Sequence, residues 1–76
     1  MKELVEFLAR ELVDDPDAVR VDEALDDRGS VITLTVAPDD MGKVIGRGGR
    51  TAKAIRSVVR AAATRQGISA RVDIAD

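Results

Sequence analysis

Three glycines within four positions, Gly46, Gly48 and Gly49, interrupt a stretch whose apolar residues recur at helical spacing on either side. Two helices must therefore meet there at a tight turn, in which the missing side chains permit positive φ and let another backbone come close. Upstream, Pro38 suits an early helix position, Asp39 and Asp40 suit its positive N-terminal end, and Met41, Val44 and Ile45 follow the helical period. Downstream, a projection at 100° per residue gathers Ile55, Val58, Val59 and Ala62 into one arc of roughly 100°. Arg50, Lys53, Arg56 and Arg60 fall into another arc of roughly 120°. One face is core and another is charge. Gly67 marks the stop, and "ISARVDI" alternates Ile68, Ala70, Val72 and Ile74 with polar residues, as a half-buried strand does.

The N-terminal part supplies the remaining elements. Leu4, Val5, Leu8 and Leu12 form a helical stripe with Phe7 at its edge, and Glu6 stands four residues before Arg10 as a supporting pair. This helix should end near Val13, because Pro16 disfavours helical geometry at Asp15. Val19 and Val21 alternate with Arg20 and Asp22, "DDRGS" supplies a turn, and Val31 to Val36 is β-branched and apolar, so a hairpin is expected. The order is helix, strand, strand, helix, helix, strand. The helix pair is long enough to be a crossover between parallel strands, which predicts an α+β fold: a three-stranded mixed sheet with helices packed on one face.

A chain of 76 residues allows one domain, residues 1–76, and no second core. With neither cysteine nor histidine, disulfides and the usual zinc ligands are excluded, and no metal or cofactor is expected. No apolar run approaches the roughly 20 residues that span a bilayer, and "MKELVEFLARELV" is charged throughout, unlike a signal peptide, so a cytoplasmic protein is expected. The net charge of −2 conceals a division of sign: residues 1–40 carry −8 and residues 41–76 carry +6. From Lys43 to Val72 no acidic residue occurs. Such separation suggests a basic face offered to a polyanion, although charge runs are commonly plain solvated surface. The N–H groups opening the second helix add partial positive charge beside the glycines, and Arg47 and Arg50 add full charges, which makes a cradle for a sugar-phosphate backbone.

"VIGRGG" followed by a basic helix resembles the GxxG signature of K-homology (KH) domains, which clamp about four nucleotides of single-stranded nucleic acid. The element order resembles the prokaryotic (type II) KH fold, and "VAPDDMGKVIGRGGRTAKAIR" is similar to the small bacterial RNA-binding proteins of the KhpA family. The resemblance runs the whole length. It implies that Gly46 and Gly49 are the outer loop glycines, that Arg47 and Gly48 are the variable pair, and that Lys43, Arg50 and Lys53 contact the RNA backbone, with Ile45 at the groove rim. It also implies an RNA chaperone or post-transcriptional regulator that forms homodimers and a complex with a larger KH-containing bacterial protein. Gly48 stands where the family often has lysine or another polar residue, which removes a side-chain contact there.

Some residues have a structural reading beside the functional one. Gly42, four residues before Gly46, is read as a helix-packing glycine, and Val44, Ile45 and Val58 as core, although residues at the rim of a KH groove can do both. Arg56, Arg60 and Arg65 rank below Arg47 and Arg50, since they lie farther from the loop and solubilising charge accounts for them equally. Other phosphate motifs are missing: Thr51 stands where GxGxxG needs its last glycine, and no GxxxxGK[ST] occurs. Three serines without an evident base make no nucleophile pair, so no enzyme is expected. Phe7 is the only aromatic, which excludes modules that stack bases on aromatic platforms. The alternative is a protein-interaction adaptor, which would have no need of phosphate-directed charge around the glycines.

Overall fold

The computed structural model describes residues 1–75. Its order is the expected one: α1 (Lys2–Leu12), β1 (Arg20–Asp26), β2 (Gly29–Thr35), α2 (Met41–Ile45), α3 (Arg50–Arg65) and β3 (Ala70–Ala75). Short 3₁₀ turns at Pro16–Ala18, Pro38–Asp40 and Arg47–Gly49 make three of the connections. β2 is central, antiparallel to β1 and parallel to β3. The register runs from Arg20 opposite Thr35 to Asp26 opposite Gly29 on one side, and from Ser30 opposite Ala70 to Thr35 opposite Ala75 on the other. Asp26 shapes the hairpin tip by accepting the Arg28 N–H at 2.8 Å.

The period of two along β2 decides where the core lies. Ser30, Ile32 and Leu34 are buried on one face, and Val31, Thr33 and Thr35 are half-buried on the other. Val21, Val72 and partly buried Ile74 share the inner face with Ile32 and Leu34, and the helices close it with Val5, Ala9, Val44, Ile55 and Val59. The hairpin tip projects past this cover: Leu25 lies on the inner face yet is 84% exposed. Nearby, the buried Ser30 hydroxyl donates to Glu23 Oε2 at 2.8 Å, so neither polar group on that face is left alone. α3 ends where Gly67 N–H bonds Thr64 O (3.1 Å) and Ile68 N–H bonds Ala63 O (3.0 Å), the paired arrangement that satisfies last-turn carbonyls.

Three core or packing expectations need correction, at Val58, Gly42 and Ile45, the last being 39% exposed at the end of α2, while Asp40 and Phe7 settle in ways the helical periods leave open. Asp40 is buried but makes no side-chain cap of α2. Its carboxylate accepts the backbone N–H groups of Asp14 (3.2 Å) and Asp15 (3.1 Å), fastening the chain beyond α1 to the start of α2. The buried arc of α3 is Ala52, Ile55, Val59 and Ala63, leaving Val58 at 44% exposed, because the small alanines let the helix approach the sheet. On α1 the same choice buries Val5 and Ala9 and leaves Phe7 exposed. Gly42 is exposed, and a Cβ there would meet nothing within 4 Å, so it is no packing glycine.

Candidate nucleic-acid interface

The loop is built by α2 running out of helix. Gly46 N–H closes the last turn on Gly42 O at 2.9 Å, and Gly49 N–H then bonds Gly46 O at 3.1 Å, so the chain reverses within four residues. Gly46 has φ 77° and ψ 169°, a region open essentially to glycine alone. A Cβ there would also fall on the Thr51 side chain and within 2.8 Å of its backbone nitrogen. Gly48 (φ 64°) and Gly49 (φ 78°) are left-handed too, but a Cβ at either would meet nothing within 4 Å. Gly46 is thus fixed by contact as well as by torsion, while the outer surface of the turn is open to an approaching backbone. The first turn of α3 carries no side-chain cap, so the partial positive charge of the helix start lies beside the turn, although the Arg50 N–H itself is bonded to the Arg47 carbonyl.

The anticipated site residues divide into two groups. Ile45, Arg47, Arg50 and Lys53 are exposed around the turn, together with the half-buried Gly46 and Gly49 and exposed Gly48. Lys43 is drawn the other way. Its ammonium donates to Asp14 Oδ2 at 2.7 Å and stands 4.0 Å from Asp40 Oδ1. The Asp14 carboxylate, by hydrogen bond and charge, holds the Lys43 pKa above the ordinary lysine value. An exposed pair of this kind is screened by solvent, so phosphate can compete for the lysine.

Arg50, Lys53, Arg56 and Arg60 form one stripe along α3, about 15 Å from end to end at 1.5 Å per residue. At its far end the stripe borders a cleft of about 330 Å³, lined by Arg56, Arg60 and β3 residues Ala70 to Asp73. Arg56 is not merely solvated: its Nε donates to the Val72 carbonyl at 3.2 Å. Arg71 on the cleft wall donates instead to Asp26 Oδ2 at 2.7 Å. That hydrogen bond, followed by the Arg28 N–H, holds the Asp26 carboxyl below its ordinary pKa. Arg56 and Arg60, which rank below the loop arginines in the sequence, share the helical arc of Arg50 and Lys53. The opposite flank of α3 is apolar. With α1 it forms a groove of about 290 Å³ lined by Phe7, Leu8, Leu12, Ala54, Ile55 and Val58 among others, which a single helical projection of either element does not reveal.

Among the described residues, no cluster of three or more His, Cys, Asp or Glu is disposed to hold a metal ion, and no helix is long and apolar enough to cross a membrane. Residues 2–74 match the KH domain of the KhpA/KhpB family. A protein of Halalkalibacterium halodurans named RNA-binding protein KhpA is 62% identical over 76 residues, the full length of both chains. Namesakes from Clostridium perfringens (53% over 74 residues, 97% of this chain and 99% of the relative) and Mycobacterium tuberculosis (54% over 72 residues, 95% and 86%) are similar over nearly the same span. The likeness runs from α1 through the glycine turn into β3, so the chain belongs to the KhpA/KhpB family of KH-domain proteins.

Proposed function

We propose that this protein is a single KH domain, residues 1–76, that binds single-stranded RNA in the cytoplasm without catalysing a reaction, as an RNA chaperone or post-transcriptional regulator. The backbone of the RNA lies across Gly46–Gly49, with Arg47, Arg50 and Lys53 paired to phosphates, Lys43 recruited from Asp14, and Ile45 against a sugar or base. The observation that carries this reading is an unobstructed left-handed turn at the uncapped start of a helix, flanked by arginines. The relatives' printed name, RNA-binding protein, points the same way.

The test is Arg47→Asp combined with Gly48→Asp. Two carboxylates then stand where phosphates approach, while Gly48 has the space and the torsion that aspartate tolerates better than branched residues. RNA affinity should fall at least tenfold in an anisotropy titration, with thermal unfolding shifted by only a few degrees. A folded double variant that binds as tightly as the parent places the contact elsewhere.

A second reading concerns assembly, and the apolar groove between α1 and α3 favours it. A second copy of the chain, or a larger KH-containing protein, would cover Phe7, Leu12 and Val58 there. The groove and the basic stripe lie on opposite flanks of α3, so assembly leaves the RNA face free.

A further inference from the structure

We propose that the cleft between α3 and β3 selects guanine among the bases of a bound strand, and that Arg56 is the residue that makes the choice. This rests on the RNA-binding reading above and adds a base preference to it.

β3 is an edge strand, paired with β2 alone. In an extended residue the N–H and C=O leave on the same side of the strand. The Val72 carbonyl receives Arg56 from the open side, so the Val72 N–H faces that side as well. An unmodified edge would present a donor and an acceptor together. Adenine and cytosine, which carry an amino group next to a ring-nitrogen acceptor, complement that pair.

In this chain Arg56 Nε already occupies the acceptor. A carbonyl oxygen has a second lone pair, but the guanidinium that fills the first brings four further N–H donors beside it, and Arg60 lines the same cleft. A base amino group entering there meets donors. A guanine, whose O6 and N7 are adjacent acceptors, meets the fork that fits them. Arg71 does not compete for this role, being bonded to Asp26 on the strand's other face. Asp73, the carboxylate on the cleft wall, lies on that outer face and acts on the Arg71 charge. The stripe from Arg50 to Arg60 carries the strand from the glycine turn to this cleft, so a base splayed from the clamped backbone reaches it.

The full chain is titrated with a short oligoadenylate, with the same oligonucleotide carrying one central guanosine, and with 7-deazaguanosine in that place. Guanosine should tighten binding about tenfold, and removing N7 should abolish most of the gain. Arg56→Lys, which keeps the charge but loses the planar fork, should bring the guanosine and adenosine ligands to within about twofold of each other. Arg56→Ala, which frees the Val72 carbonyl, should move the preference toward adenosine. Equal affinity for the three ligands, or a guanosine preference that survives Arg56→Lys, overturns the guanine assignment. If binding in that case is still lost on Arg47→Asp with Gly48→Asp, the backbone clamp stands alone. No binding to any of the ligands at low salt overturns both readings.

Discussion

Gly46 and Gly48 occupy the same turn for different reasons, and the difference is measurable. At Gly46 a methyl group is opposed both by a torsion that only glycine adopts readily and by the atoms of Thr51. At Gly48 only the left-handed torsion opposes it, at about 1–2 kcal/mol for an L-residue. Gly48→Ala should therefore lower stability by about 1 kcal/mol, which is about 4–8 °C for a domain of this size. Gly46→Ala should cost at least twice as much. Thermal unfolding of the two variants side by side decides it; equal losses would mean that Thr51 does not set the turn. Asp40 teaches a related lesson, because a carboxylate placed where a helix start would welcome it is used by two backbone N–H groups from a distant segment instead.

Among the elements, α3 carries the protein's chemistry because it has three faces rather than two. Ala52, Ile55, Val59 and Ala63 meet the core; Arg50, Lys53, Arg56 and Arg60 form the basic flank; Ala54 and Val58 border the groove with α1. The groove and the stripe should fail independently. Val58→Asp puts a charge into the apolar flank at a position that is 44% exposed, so stability should change by about 0.5 kcal/mol or less. If chains pair through this groove, the variant should sediment as a monomer at concentrations where the parent associates, and its RNA affinity per chain should stay within about twofold. Loss of RNA binding with unchanged sedimentation would assign the groove to RNA instead.

For the whole molecule, the division of sign between the two parts of the chain matters more than the net charge of −2. Acidic residues of the first part surround the strands and α1, and basic residues of the second are spread along α3, so a polyanion is attracted to one side of a domain that is acidic as a whole. Binding through about three or four phosphates predicts a slope of roughly −2 to −3 in a plot of log affinity against log salt. Lys43 adds to that slope only if phosphate displaces Asp14, so Asp14→Asn should strengthen binding and steepen the dependence slightly. Titrations at several salt concentrations measure both; a slope near zero would be incompatible with a backbone clamp.

The sequence by itself determined the order of elements, the hairpin, the crossover and the glycine turn, because each follows from a local period or from a torsion that only one residue type adopts readily. It also determined the basic arc of α3, which is a matter of spacing along one helix. Tertiary structure decided which part of each apolar arc is covered. Val58 looks like core in a helical projection, and Phe7 like the edge of one, yet the helices settle on Val5, Ala9, Ala52 and Ala63, whose small or compact side chains allow the closest approach to the sheet. It likewise decided that Lys43 turns to Asp14, 29 residues away, and that Arg56 reaches the carbonyl of Val72, 16 residues on. Those contacts join residues with no common period, since they depend on how a helix is set against its neighbours.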